Sequence, residues 1–258
     1  MNAKNIIVTT ASRSDFENIL AFLDRQGLAE NAWLTGSVFA ALQRDEVWET
    51  VLTCRRRHQI VGVAYMLNQR KVPVENRAPG YDPGYDYDIE MDAEDASAVE
   101  AMIADFPSDQ LGHFSIFRPL IQAYFEALPG VSRREGDLYF TVSLERFCSV
   151  AGEEVVELTA ADAGLFEGYE RQHRWEYMGE EHRVFGIVRD GRVATSTGVA
   201  PITPARAMKR RVIAISGLYT ETRYRRMGLG KRLVSYVTEL ILRDGHAPLY
   251  WTEPDNAA

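Results

Sequence analysis

The stretch from Ile213 to Arg243 constrains this chain more than any other. Ile213-Ala214-Ile215-Ser216-Gly217-Leu218-Tyr219-Thr220 is an apolar run that reads as a strand. A glycine-rich turn follows, Arg225-Arg226-Met227-Gly228-Leu229-Gly230-Lys231, and then a helix in which Leu229, Leu233, Tyr236, Val237 and Leu240 share one face. Strand, glycine loop and helix together make an anion cradle. The first turn of a helix has backbone N–H groups without partners and a partial positive charge, which favours phosphate or pyrophosphate there. Gly228 and Gly230 let the backbone come close to such a group, and Arg225, Arg226, Lys231 and Arg232 add formal charge.

Spacing separates the loops that hold phosphates. A P-loop needs G-x-x-x-x-G-K-[ST]; if Gly230-Lys231 is its G-K pair, Arg225 stands at the first glycine and Arg232 at the Ser or Thr that would hold magnesium. A dinucleotide fold needs G-x-G-x-x-G, but Leu233 stands at the third glycine. Neither fits.

Around this stretch an element order recurs. Residues 6–8 read as a strand, 14–26 as a helix stopped by Gly27, 38–44 as a second helix, and 50–55 and 59–67 as strands joined by a basic turn. Residues 87–91 read as a strand, 94–106 and 117–128 as helices, and 137–145 as a strand closing this half. From Glu154 the order starts again, with a strand at 154–158 and a helix at 160–172. Strands at 184–188 and 193–200 follow, joined by Asp190-Gly191, a strong hairpin signal. A strand at 211–219, the helix 228–243 and a strand at 248–252 complete it. The expected fold class is α/β (α+β), with two related domains in tandem, 1–150 and 151–258. Each is expected to be a mixed, mostly antiparallel sheet flanked by helices. A chain of 258 residues has room for two cores.

Charge divides the halves. Asp82, Asp86, Asp88, Glu90, Asp92, Glu94, Asp95, Glu100 and Asp105 form a stretch without Lys or Arg, whereas residues 206–232 are strongly basic. An acidic run of this kind is first of all a solvated face. The net charge of −8 speaks against a general nucleic-acid binder. Cys54 and Cys148 sit in no disulfide or metal-ligand pattern, so no metal is expected. No apolar stretch approaches the roughly 20 residues of a membrane span, and residues 1–10 do not read as a signal peptide; a reducing cytoplasm fits.

The pattern R-x-x-G-x-G at Arg225, Gly228 and Gly230, preceded by Leu218-Tyr219-Thr220 and Tyr224, resembles the GNAT acetyltransferase family. The resemblance runs from about Glu154 to the chain end, and Glu253-Pro254-Asp255-Asn256 is similar to the family's segment after its fifth strand. It implies an N-acetyltransferase with acetyl-CoA as co-substrate and a small-molecule amine as acceptor. Arg225, Arg226, Met227, Gly228, Leu229, Gly230 and Lys231 would hold the pyrophosphate. Leu218, Tyr219 and Thr220 would meet the pantetheine and thioester through backbone groups, and Asn256 would lie beside the pantetheine arm. The reaction implied is direct: a neutral amine attacks the thioester carbonyl, a base takes its proton, and backbone N–H groups stabilise the oxyanion. Glu253 is the candidate base, and Ser216 and Tyr219 are lesser ones.

The family normally continues with a helix carrying a tyrosine acid and with further strand, whereas this chain ends at Ala258. The missing parts would lie outside this chain or come from its N-terminal half or a partner, and no general acid is assigned. The N-terminal half carries Asp92 to Asp95 where the other half has Arg and Gly, so it is expected to be a degenerate copy without cofactor. Its role would be structural, or to line the acceptor site, where its carboxylates would attract a cationic amine. An acyl-CoA-binding or assembly module without catalysis is the alternative. Oligomeric state is left open, self-association included.

Overall fold

The structure is a computed structural model that describes residues 6–44, 46–76, 84–106, 112–116, 118–127, 138–150, 154–166, 181–203 and 210–252. The chain divides into two compact units, 1–134 and 135–258.

In the first unit, strand β1 (Ile6–Thr10) leads through a 3-10 turn into helices α1 (Phe16–Gly27) and α2 (Ala32–Arg44). Strands β2 (Glu49–Arg56), β3 (Gln59–Asn68) and β4 (Tyr87–Ala93) follow, then α3 (Ala96–Ile103), β5 (Gly112–Ser115) and α4 (Pro119–Glu126). The sheet has the order β1-β2-β3-β4-β5, antiparallel except for the parallel pair β4 and β5. Two cores result. Ile19, Phe22 and Leu23 of α1 and Leu34 and Val38 of α2 pack against Val51, Val63 and Tyr65. Ala98, Val99 and Met102 of α3 and Ile121 and Phe125 of α4 pack against Leu52, Ala64, Ile89 and Met91. Three sequence expectations shift here. Helix α2 starts six residues earlier than its periodicity suggests, because Ala32, Leu34 and Thr35 are buried despite the helix-weakening Gly36 between them and Ser37. Helix α3 is shorter than expected, starting after Asp95. Strand β5 was missed: four residues, Gly-His-Phe-Ser, carry no pattern to read.

The second unit repeats the plan. Strands β6 (Leu138–Phe140), β7 (Val155–Leu158), β8 (Arg183–Arg189), β9 (Arg192–Pro201) and β10 (Val212–Thr220) precede helix α5 (Leu229–Arg243) and strand β11 (Ala247–Thr252). The order β6-β11-β10-β9-β8-β7 holds one parallel pair, β10 and β11. Strands β7 to β11 thus match β1 to β5 in order and direction, and α5 takes the crossover place of α3. Helix α5 buries Leu229, Leu233, Val237 and Ile241 at four-residue spacing against Phe185, Ile187, Ile213 and Ile215. It ends in a Schellman turn: Gly245 at φ +78 donates to Leu242 O at 3.1 Å, and His246 donates to Ile241 O at 3.0 Å. The β8–β9 turn, Asp190 at φ +51 and Gly191 at φ +71, is the expected hairpin.

Two readings are corrected. The segment 137–145 does not close the first half, and the division falls at 134/135 and not near 150. Strand β6 pairs antiparallel with β11, and Thr141 donates its hydroxyl to Pro248 O at 2.8 Å. Unpaired, the outer side of β11 would expose a row of N–H and C=O groups, and β6 covers it. Residues 160–166 form a 3-10 helix where an α-helix was expected; the rest of that expectation lies outside the described residues.

In the first unit one buried acid gives a pH-dependent stability. Glu90 lies in the middle of β4, and burial pushes its carboxyl up to about 7 from 4.5, opposed by a hydrogen bond with Ser37 and assisted by the charge of Asp88. The folded state keeps this proton through a pH range in which the unfolded chain has released it. Stability of the first unit is therefore expected to fall as pH rises from about 4.5 to about 7, by up to about 3 kcal/mol. Glu90→Gln should melt above wild type at pH 8 and close to it at pH 4.5; equal melting temperatures at both pH values would refute the assignment.

Candidate functional site: an anion cradle beside parted strands

Strands β10 and β11 pair only from Val212 with Ala247 to Ile215 with Tyr250. Strand β10 then runs on to Thr220 and β11 to Thr252, so past Ile215 and Tyr250 the two part. A ligand site at the carboxyl ends of parallel strands is the general expectation for such sheets. On its other side, β10 slips register against β9. Ser216 faces Gly198 but Tyr219 faces Ser196, so Gly217 and Leu218 share one partner position in a β-bulge. Gly217 stands at φ +65, as a bulge of this kind requires.

The loop after β10 is pinned at one residue. Tyr224 is buried, and its hydroxyl donates to Asp190 Oδ2 at 2.9 Å, fastening the loop to the β8–β9 turn. The backbone beyond it is contorted, with Arg226 at φ +62 and Gly228 at φ +76. A non-glycine residue in this region stores strain, and such strain collects at ligand clamps. Intrahelical bonding in α5 begins with Arg232 N to Gly228 O at 3.1 Å, which leaves the amides of Leu229, Gly230 and Lys231 without intrahelical partners. A Cβ on Gly228 would meet nothing within 4 Å, so the space over the loop is clear. One on Gly230 would lie 3.4 Å from Thr220 Oγ1 and 3.6 Å from Leu218 Cδ2, so the helix start rests on the bulged strand. Arg225, Arg226, Lys231 and Arg232 are exposed, and among the described residues none is in an ion pair. Arg225 Nε donates to Thr220 O at 3.0 Å, and its guanidinium lies 5.6 Å over the Tyr219 ring.

The sequence-predicted residues Leu218, Tyr219, Thr220 and Arg225 to Lys231 are thus brought together at one end of β10. Ser216, a lesser candidate base, sits at the start of the bulge, and its carbonyl oxygen accepts from Thr197 Oγ1. Glu253 and Asn256 lie outside the described residues. Sequence reasoning missed Thr195 and Thr197, buried on β9 and bonded to the bulge; as β-branched residues in a strand they carry no special signal.

The equivalent place in the first unit is built the other way. Strand β4 pairs with β3 in a straight register, without a bulge. The first turn of α3 is capped by the chain's own carboxylate: Asp95 accepts from Ala98 N at 3.1 Å and from Arg56 at 2.9 Å. Burial pushes Asp95 up, but the bonds from Ser97, Ala98 and Arg56 outweigh it and hold the carboxyl below its usual range. Past Glu90 and Ser115, where β4 and β5 stop pairing, each stretch of chain carries one member of an ion pair. Asp92, fully buried, accepts from Arg118 at 3.0 Å, Asn31 at 2.8 Å and Ala93 N at 2.7 Å, and Arg118 also reaches Ala93 O at 3.2 Å and Gln26. Burial pushes Asp92 up against the pull of these donors.

Fold and site define a tandem pair of mixed-sheet domains, with an anion cradle at the strand–loop–helix junction of the second and its counterpart self-capped in the first. Residues 153–258 match the family model described as the acetyltransferase (GNAT) family, and that stretch of the chain is similar to the family's domain. No curated protein matches the chain. Among solved structures, a tandem GNAT protein from the clavulanic acid biosynthesis pathway, determined without acetyl-CoA, aligns with 98% of this chain and 91% of its own. Its identity is 16% and its TM-score 0.50. A GNAT-family protein from Novosphingobium aromaticivorans DSM 12444 aligns with 50% of this chain at 20% identity and TM-score 0.38, and the chain covers 60% of that protein's length. The glucosamine N-acetyltransferase region of a fungal multi-domain GH3 β-N-acetylglucosaminidase aligns with 97% of this chain and 36% of its own, at 13% identity and TM-score 0.47. Among the described residues no helix is long and apolar enough to cross a membrane.

Proposed function

We propose that the second unit binds acetyl-CoA and transfers its acetyl group to the amine of a small-molecule acceptor. The observation that carries this reading is the junction of the parted β10–β11 edge with an uncapped helix N-terminus. It sets an anion-favouring helix N-terminus beside the ends of β10 and β11 that no longer pair with each other, which suits an acyl thioester on a diphosphate-bearing arm. The residues present fit such a group. Gly228 keeps clear the space above the loop, Leu229, Gly230 and Lys231 present amides, and around them stand Arg225, Arg226, Lys231 and Arg232, in no ion pair among the described residues. Arg225, Arg226, Lys231 and Arg232 would hold the pyrophosphate, and the backbone of Leu218 to Thr220 would face the arm. Acetyl-CoA, when bound, supplies the activated acyl group. The chain's part is to hold the donor, orient its carbonyl and offer N–H groups to it.

Glu253 follows the last described residue of β11 and is the base in this proposal, with Asn256 beside the arm. The first unit holds no cofactor in this reading, and it acts as a structural partner or, through its acidic residues, as a lure for a cationic acceptor. A free buried Cys54, its thiol pushed up to about 11 by burial, and a free exposed Cys148 suit a reducing, cytoplasmic setting.

The test is release of free thiol from acetyl-CoA in the presence of a panel of small amines. Acceptor-dependent release, lost in an Arg225→Glu/Gly228→Glu variant, is expected. Tight acetyl-CoA binding with no release for any amine would favour a binding module over an enzyme.

A further inference from the structure

The bulge in β10 is held by two side chains that the reading above does not use. Thr195 and Thr197 of β9 are fully buried. Thr197 donates its hydroxyl to Ser216 O at 2.9 Å, and Thr195 donates to Tyr219 O at 2.8 Å. Ser216 and Tyr219 are the residues that bracket the bulge. A threonine has one O–H, and that of Thr195 is spent on Tyr219, so in the 2.9 Å contact between Thr195 and Thr220 the donor is Thr220. Donors therefore run from Thr220 to Thr195 to the Tyr219 carbonyl, while Arg225 holds the Thr220 carbonyl. Bulge and cradle are one hydrogen-bonded unit.

A regular ladder would need none of this, since each strand satisfies its neighbour. A bulge disrupts that ladder, and Gly217 offers no steric resistance to rotation of its peptide planes. The first unit supplies an internal comparison. Its Gly62-Val63-Ala64 matches Gly198-Val199-Ala200, and Gly62 faces Ala93 as Gly198 faces Ser216. At the position matching Thr197 stands Val61, and β4 ends at Ala93 with no bulge. The hydroxyl is present where the bulge is present.

We propose that Thr195 and Thr197 are positioning residues for the acyl donor: by fixing the Ser216 and Tyr219 carbonyls, they set the two peptide planes that carry the Gly217 and Thr220 N–H groups and aim those groups at the thioester carbonyl oxygen. This rests on the acetyl-CoA reading and adds to it. CoA lacks the acyl carbonyl, so the ratio of acetyl-CoA to CoA affinity reads the contact separately from the cradle.

Calorimetric titration of both compounds into wild type, Thr197→Val and Thr197→Ser tests it. Wild type should favour acetyl-CoA. Thr197→Val should weaken acetyl-CoA about tenfold, the worth of one well-placed hydrogen bond, and CoA by less than about threefold. Thr197→Ser, which keeps the hydroxyl, should restore the wild-type ratio. Should the valine variant fail to fold, the amide resonances of Gly217 and Thr220 in wild type still decide: they should shift differently with acetyl-CoA and with CoA. An unchanged ratio in folded Thr197→Val, or identical shifts with both compounds, overturns the proposal. Absence of heat with either compound in wild type would instead remove the acetyl-CoA reading itself, and this proposal with it.

Discussion

An Arg225→Glu/Gly228→Glu variant is expected to bind acetyl-CoA at least about 100-fold more weakly than wild type, with the fold kept. Three effects add in the same direction. Gly228 stands at φ +76, where a side chain costs about 1–2 kcal/mol and pushes the loop toward another conformation. A carboxylate at that N-cap position would compete for the free amides of α5 as Asp95 does for α3, so the cradle would be occupied from within. Replacing Arg225 inverts a charge that no acidic side chain neutralises among the described residues and removes its bond to Thr220 O. Calorimetric titration measures the loss, and the melting temperature reports on the fold. A folded variant with affinity within about threefold of wild type would place the phosphates elsewhere.

Arg118→Met is expected to destabilise the first unit by about 3–5 kcal/mol, because Asp92 is fully buried and would lose its cation. The remaining donors, Asn31 and the Ala93 amide, cannot supply that charge. A second substitution, Asp92→Leu, should recover most of the loss, since a buried ion pair replaced at both ends by apolar groups is close to neutral. Denaturant unfolding of wild type, Arg118→Met and Arg118→Met/Asp92→Leu measures both steps. If Arg118→Met costs less than about 1 kcal/mol, Asp92 does not depend on Arg118 for the support of its buried carboxyl.

What was readable in the sequence is what local chemistry decides. The α5 face, the Asp190-Gly191 turn and the Arg225 to Gly230 loop are written in neighbouring residues, and all three stand where expected. Pairing across long separations is not local. The bond from Thr141 to Pro248 joins residues 107 apart, and nothing near Leu138 says that β6 belongs beside β11. Strand β5 is too short for a periodic signal. The acidic run from Asp82 to Asp105 reads in sequence as a solvated face, and Asp92 to Asp95 as unfit for pyrophosphate; Asp92 is instead fully buried, and sequence could not show that it meets Arg118, 26 residues on, or that Asp95 caps a helix. Nor could it show a bulge: Thr195 and Thr197 look like any strand-forming threonines until their hydroxyls are seen on Ser216 and Tyr219.

The central claim is that the chain has one acetyl-CoA site, at the β10–α5 junction of the second unit, while the matching junction of the first is closed by its own carboxylate. Amide hydrogen exchange of the intact chain, with and without saturating acetyl-CoA, tests this most directly. Protection is expected at residues 217–220 and 228–231, with residues 92–98 unchanged. Equal protection at 92–98, or none at 228–231, would contradict the account.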